Sequence, residues 1–201
     1  MQVAEINDLQ DDLLLPWLDL YETAFPPNER VLVSFLLQVL KDKALGRAQK
    51  YHLWAALEPH TTLVGMAMVE LFPESQAALL WCLAVTPNER SRGWGGKLYQ
   101  EILRQVNSTN TAMLFEVELP EEAHSDQERQ LAQRRIEFYR RQGARVLRGV
   151  HYRQYVGQHQ PPLPMHVMVH PFQSMNPQAA FDLARAVFGD WITQVGTLAL
   201  E

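Results

Sequence analysis

Between Arg90 and Lys97 the chain reads Arg-Ser-Arg-Gly-Trp-Gly-Gly-Lys, three cations interleaved with three glycines. Glycine tolerates positive φ and leaves backbone N–H groups uncovered, and the first turn of a helix carries N–H groups without internal acceptors. Where such a loop feeds a helix, the two make a cradle for an anion, best suited to phosphate or pyrophosphate. Arg90, Arg92 and Lys97 add positive charge around it. A dinucleotide fingerprint needs a third glycine three residues after the second, where this chain has Leu98. A nucleoside-triphosphate loop needs Ser or Thr after Gly-Lys, and Leu98 stands there too. Both fit poorly, although the glycines are also compatible with plain strand-helix punctuation.

A second group of interest is Glu116 and Glu118, inside a predicted strand from Ala112 to Leu119. Alternation sends Met113, Phe115, Val117 and Leu119 to one side and Leu114, Glu116 and Glu118 to the other. Two carboxylates on one face form either a solvated surface or, in a cleft, a group that accepts a proton or holds a cationic amine. The seven histidines suggest no metal site. His166 and His170 lie four apart in a predicted strand, roughly 13 Å from each other, too far to share an ion. None of the others pairs at ligand spacing with Cys or an acidic residue.

The elements that must position these groups follow from periodicity. Leu79 to Val85 is an unbroken apolar run of strand length, expected to be buried on both faces and ended by Pro87. After the glycines, Leu98, Tyr99, Ile102, Leu103 and Val106 recur at helical spacing, so the order is strand, glycine turn, helix. Upstream, Val3 to Ile6 reads as a short strand, and Asp11 to Ala24 as a helix carrying Leu14, Trp17, Leu18 and Tyr21. Phe25-Pro26-Pro27 stops it, and a second helix is expected from Asn28 to about Leu45, with Gly46 as its terminator. Tyr51 to Leu57 and Leu63 to Phe72 read as a hairpin turning at Pro59, His60 and Thr61. Downstream, Ser125-Asp126-Gln127-Glu128 has capping-box form, opening a helix that buries Ala132, Ile136 and Tyr139 and stops at Gly143. Strands at about Arg145 to Val156 and Met165 to Val169 flank a loop with Pro161, Pro162 and Pro164. Asn176-Pro177 caps a last helix with Ala180, Ala184, Val187 and Trp191 as its stripe. The four residues Pro27 to Arg30 recur as Pro87 to Arg90 without flanking similarity, which reads as chance.

Taken together, these residues carry a resemblance. Arg90-Ser91-Arg92-Gly93-Trp94-Gly95 is similar to the Arg/Gln-x-x-Gly-x-Gly/Ala motif of the GNAT superfamily, the acyl-CoA-dependent N-acetyltransferases. It follows a strand ending Leu83-Ala84-Val85-Thr86-Pro87, as in that family. Phe138-Tyr139-Arg140-Arg141-Gln142-Gly143 resembles the family's second signature, an aromatic-Tyr pair before a helix-ending glycine. The resemblance implies an α/β (α+β) fold: a central mixed, mostly antiparallel twisted sheet of about seven strands, flanked by helices. Residues 1–201 would form a single domain with an additional C-terminal helix at about 176–195, which covers the sheet or makes a homodimer contact.

It also implies a mechanism. Acetyl-CoA would lie along the central strand, its pantetheine amides bonded to the backbone around Leu83, Ala84 and Val85. The pyrophosphate would rest on the N–H groups of the Arg90, Ser91, Arg92, Gly93, Trp94, Gly95 and Gly96 loop. The acceptor amine attacks the thioester directly in a ternary complex, so no nucleophile is assigned, and Phe25 to Arg30 becomes a candidate acceptor-contacting loop. Tyr139 matches the family tyrosine that protonates the leaving thiolate. An alkyl amine with a pKa near 10.4 is about three units, or roughly 4 kcal/mol, from its neutral form at pH 7, so a base must help. The family often places a Glu on the central strand, where this chain has only Leu, Trp, Cys and Ala. Glu116, Glu118 or Glu70 through a water are the substitutes, in that order. Two further departures are the acidic insertion Pro120-Glu121-Glu122-Ala123-His124 and Ala144 where a phenylalanine is common.

Whole-chain properties frame the alternatives. The net charge of −5 argues against a nucleic-acid partner. The run Val31 to Leu40, broken by Ser34 and Gln38, falls short of the ~20 residues that cross a bilayer, and the acidic N-terminus leads into no secretory pattern. Cys82, the single cysteine, has no internal disulfide partner, which fits a reducing cytoplasm. The leading expectation is a cytoplasmic transferase that acetylates a small-molecule or peptide amine, mildly favouring a cationic one. A non-catalytic acyl-CoA-binding sensor or partner-binding module keeps the cradle without a base. A nucleotide-binding protein using the same loop is the weakest alternative.

Overall fold

The computed structural model describes residues 1–47, 50–58, 62–154 and 162–201. In chain order the elements are β1 (Gln2–Ile6), α1 (Leu14–Ala24), α2 (Val33–Ala44), β2 (Tyr51–Leu57), β3 (Leu63–Phe72), β4 (Ala77–Val85) and α3 (Trp94–Val106). Then come β5 (Ala112–Glu118), α4 (Asp126–Arg141), β6 (Arg145–Gln154), β7 (Leu163–Pro171), α5 (Pro177–Phe188) and β8 (Ile192–Leu200). The strands form an eight-stranded mixed sheet in the order β1-β2-β3-β4-β5-β7-β6-β8. The chain divides into two compact units, one holding Met1–Leu71 and Leu80–Gln105, the other Phe72–Leu79 and the described residues of 106–201.

In the first unit β1, β2 and β3 pair antiparallel, with Tyr51 opposite Glu70 across the β2–β3 ladder. Its core gathers Trp17, Leu20 and Tyr21 of α1, Leu36 and Leu40 of α2, and Leu53, Ala55, Met66, Met68, Cys82 and Ala84 of the strands. The Trp17 indole, fully buried, donates to the Trp54 carbonyl at 3.0 Å, so its one polar group is satisfied inside the core. The expected second helix is shorter than its apolar pattern suggests. Pro27–Glu29 is a separate 3₁₀ turn, Arg30 and Leu32 are extended, and α2 starts at Val33. The Val31 N–H donates to the Tyr21 hydroxyl at 2.9 Å, and this bond ties the segment to α1 before the helix begins. Pro87–Glu89 repeats the 3₁₀ turn of Pro27–Glu29, again followed by an extended arginine, so the recurring tetrapeptide folds alike at both places.

In the second unit β4 pairs parallel with β5 through Ala77, Ala78 and Leu79, and β5 pairs antiparallel with β7 along its whole length. Ser125 caps α4 by accepting from the Glu128 N–H at 3.2 Å, while the Glu128 carboxylate reaches back to the His124 N–H at 2.8 Å, one residue before the cap. The last helix differs from expectation. Asn176 caps it, accepting from the Ala179 N–H, but the chain turns at Gly189 with φ 60° and becomes β8, which pairs with β6. Glycine placed there stops the helix, so Trp191 is exposed and Ile192 is the residue that enters the core. The helix therefore ends before the expected 195, and the stripe that packs is Ala180, Phe181, Ala184 and Phe188, against Leu147, Tyr152 and Ile192. The expected turn at Pro59 to Thr61, Pro161, and the end of the expected strand at 155–156 lie outside the described residues.

Candidate functional site

The glycine loop lies in the first unit, as the continuation of β4. Thr86 returns its N–H to the Val64 carbonyl of β3 at 3.0 Å, the 3₁₀ turn follows, and then Ser91 and Gly93 both take left-handed φ, 63° and 82°. Successive turns of this kind point neighbouring N–H groups to one side, forming a concave anion-binding nest. The first intrahelical bond of α3 runs from the Lys97 N–H to the Gly93 carbonyl at 3.2 Å. The N–H groups of Trp94, Gly95 and Gly96 precede it and have no acceptor within the helix. An added Cβ at Gly93 would meet no atom within 4 Å, so the loop faces open space there. Nest, open face and helix N-terminus fit a pyrophosphate.

Side chains brace this loop rather than fill it. The guanidinium of Arg92 donates to both oxygens of Glu89 at 2.8 Å, and the Trp94 indole donates to the same carboxylate at 2.9 Å. Arg90 donates to the Val85 carbonyl at 3.3 Å, and the Lys97 ammonium sits 4.6 Å over the Trp94 ring. Glu89, which the sequence reading passed over, is thus the residue that pins the turn to the helix. Gly65 of β3 supports β4 from its side. A Cβ there would stand 2.9 Å from the Ala84 carbonyl oxygen and 3.2 Å from Leu98, so the close approach of β3 to β4 and α3 needs glycine.

Tyr139, Glu116 and Glu118 lie in the second unit. Tyr139 is buried on α4, its ring 4.3 Å from Phe115 and 5.0 Å from Phe138 between centroids. Glu116, next to Phe115 in β5, points to the opposite face, so the strand separates it from Tyr139. Its carboxylate accepts from the Tyr152 hydroxyl and from the Gln154 amide, the latter at 2.7 Å. Burial pushes the Glu116 carboxyl up to about 7, against the downward pull of those two donors. Glu118 is engaged by the Arg135 guanidinium.

The third carboxylate, Glu70, is buried as well, at 6% exposure. It sits on β3 in the same unit as the glycine loop. The Trp81 indole donates to it at 3.0 Å and the Tyr51 hydroxyl donates as well. Burial raises its pKa, opposed by those donors and by the charge of Lys50. Cys82, one residue along, is buried with its thiol pushed up to about 12 by desolvation, so it is no thiolate nucleophile. The Phe25 to Arg30 loop is held by the Tyr21 hydroxyl through Val31 and by an Arg30–Glu22 ion pair at 3.2 Å. Among the described residues no three His, Cys, Asp or Glu side chains group as a metal site, and no helix is long and apolar enough to cross a membrane.

A sequence model described as the acetyltransferase (GNAT) family matches residues 14–144, well over half of the 201-residue chain. Among solved structures, a protein from Bacteroides thetaiotaomicron assigned to the GNAT acetyltransferases superposes with a TM-score of 0.74 at 20% identity, covering 94% of this chain and 99% of that one. A ribosomal-protein-alanine N-acetyltransferase from Brucella melitensis gives a TM-score of 0.60 at 18% identity, with 85% and 99% covered. An aminoglycoside 6'-N-acetyltransferase complexed with coenzyme A gives 0.59 at 17% identity, with 87% and 99% covered. At these identities the structural likeness shows the fold. A search of curated protein sequences gives no match.

Proposed function

Because the chain belongs to the acetyltransferase (GNAT) family, and so to the acyltransferase enzymes, we propose that it moves an acetyl group from acetyl-CoA to a primary amine by direct attack in a ternary complex. The observation that carries this is the left-handed pair Ser91 and Gly93 opening into the first turn of α3. The N–H groups from Arg92 to Gly96 would hold the pyrophosphate, with Arg90 and Ser91 shaping the loop. Arg92 is already neutralised by Glu89, so the attraction rests on the backbone more than on the cations. β4 continues for the stretch 80–85 beyond its last pair with β5, and we assign the pantetheine amides to its backbone at Leu83, Ala84 and Val85.

In the transfer the amine nitrogen bonds to the thioester carbonyl carbon, the carbon–sulfur bond breaks, and the departing thiolate takes a proton from the Tyr139 hydroxyl. The amine's own proton leaves through a water to a carboxylate. Glu70 suits this better than Glu116 or Glu118 because it lies in the same compact unit as the glycine loop. A base on β3 answers the absence of one on β4 and favours an active enzyme over a non-catalytic acyl-CoA sensor. The lone buried cysteine and the absence of a long apolar helix among the described residues support a cytoplasmic setting.

Calorimetric titration with acetyl-CoA, with NAD and ATP as controls, tests the cradle, and release of free thiol against a panel of primary amines tests the transfer. Micromolar acetyl-CoA binding that Gly93→Val weakens about tenfold or more, together with amine-dependent thiol release, is the expected result. A folded protein that ignores acetyl-CoA overturns the reading, and one that binds it but acetylates no amine leaves the sensor.

A further inference from the structure

A tryptophan in the middle of a core strand ordinarily packs inward. Trp81 does not: its neighbours Leu80 and Cys82 are buried at 4% and 8% exposure, yet Trp81 keeps 37% of its surface in solvent. Its indole N–H is spent on Glu70, and so is the hydroxyl of Tyr51, which faces Glu70 directly across the β2–β3 ladder. The two rings stand 6.4 Å apart at 67°, and Phe35 of α2 meets Tyr51 edge-on at 5.2 Å and 87°, fixing its orientation.

This arrangement has an electrostatic consequence. A ring whose N–H or O–H donates to a carboxylate gains electron density, and the face of an electron-rich ring attracts cations. A buried carboxylate also needs a countercharge, and here its nearest hydrogen-bond partners are both neutral. Lys50 supplies part of that charge from an exposed position. The combination is a buried carboxylate bonded to two aromatic residues, one of which keeps 37% of its surface in solvent. We infer that Trp81 and Tyr51, both hydrogen-bonded to Glu70, form the docking site for a primary alkylammonium acceptor, with Phe35 alongside for its aliphatic stem. This rests on the acetyl-transfer reading above. Trp81 and Tyr51 touch the ligand, whereas Glu70 acts through them and is a positioning residue for binding.

The site selects charge, not merely size. It takes the acceptor as its abundant protonated form and disfavours a neutral molecule of the same shape. A free alkylamine and the side chain of a peptide lysine share this chemistry.

The test is calorimetric titration of n-butylammonium, n-butanol and an N-acetyl-lysine amide with a free side-chain ammonium into the full chain saturated with CoA, where no transfer occurs. The ammonium ligands should bind at least about tenfold more tightly than butanol. Trp81→Leu and Glu70→Gln should each remove about tenfold or more of that preference, while Trp81→Phe retains a ring and loses less, and all three keep the wild-type affinity for CoA. Tighter binding of butylammonium points to a free amine, and tighter binding of the lysine amide to a peptide; either supports the site. Equal binding of butanol and butylammonium, or undiminished preference in folded Trp81→Leu and Glu70→Gln, overturns it. Should the protein not bind CoA, the transfer reading fails, and the same titration without CoA still decides the ammonium site.

Discussion

Glu116→Gln should stabilise the protein, and do so far more at pH 8 than at pH 5. The Glu116 carboxyl is raised from 4.5 to about 7, mainly by burial. At 1.36 kcal/mol per pKa unit, the rise from 4.5 to about 7 corresponds to about 3 kcal/mol of preference for the protonated form. The folded-state pKa lies above the unfolded one, so between those values the folded state binds more protons, and stability falls as pH rises. The contribution is complete below pH 4.5 and is lost as pH climbs through about 7. Glutamine carries no charge at any pH and can keep the local bonds. Its oxygen can accept from Tyr152, and its amide would face Gln154, whose Oε1 is buried without a partner and becomes an acceptor once that amide rotates. The gain should therefore be about 2–3 kcal/mol larger at pH 8 than at pH 5. In a chain of this length that is roughly 5–10 °C of melting temperature. Thermal melts by circular dichroism across pH check it. An equal effect at both pH values, or a loss at pH 8, refutes the reasoning, and a hundredfold fall in acetyl transfer would make Glu116 the base after all.

Tyr139→Phe should lower turnover at least about tenfold with the acetyl-CoA dissociation constant unchanged; an unaltered rate removes Tyr139 from the mechanism. At Gly93 the constraint is φ rather than space, since a Cβ would meet nothing within 4 Å. Gly93→Asn, tolerant of the left-handed region, should hold acetyl-CoA within about threefold, whereas Gly93→Val, strained by about 1–2 kcal/mol or more, should weaken it by about tenfold or more by calorimetry. Gly65→Ala should cost about 1–3 kcal/mol in denaturant unfolding, because its Cβ would stand 2.9 Å from the Ala84 carbonyl. Cys82, buried with its thiol near 12, should resist iodoacetamide at pH 8 until the protein is unfolded, and Cys82→Ala should retain full turnover.

The elements around the cradle were legible because their signals are local. The Leu79 to Val85 run, the glycines and the helical spacing from Leu98 lie in one continuous stretch, and the structure realises the strand, the turn and the helix. Trp81 is exposed, however, and Leu83 and Val85 are half-buried, so the strand is not buried on both faces as expected. The same holds for Ser125 and Asn176, whose caps depend only on the residues three positions on. Misreadings arose where distant groups decide. The apolar pattern from Asn28 suits a helix, but Tyr21 holds Val31 from a different element, so α2 begins later. Val187 and Trp191 continued a plausible helical stripe, yet Gly189 breaks it and β6 recruits Ile192 to Leu200 as a strand. Strand pairing across that distance leaves no mark on a local window.

The candidate site divides along the same line. Backbone features, the left-handed loop and the open helix end, follow from glycine and its spacing, whereas the role of a charged side chain depends on which partner reaches it. Counting Arg90, Arg92 and Lys97 as positive charge for a phosphate overlooked Glu89, which is only three residues from Arg92 and claims it. Ranking Glu116 and Glu118 first as bases followed from their shared strand face, but Tyr152, Gln154 and Arg135 arrive from elements far along the chain and engage them. Glu70, third in that order, lies in an otherwise apolar strand. Register changes that: pairing places Tyr51 opposite it, and the adjacent β4 brings Trp81 to it. A strand without an acid of its own can thus stand beside one supplied by its neighbour. A missing central-strand glutamate is consequently weak evidence for a catalytically silent protein.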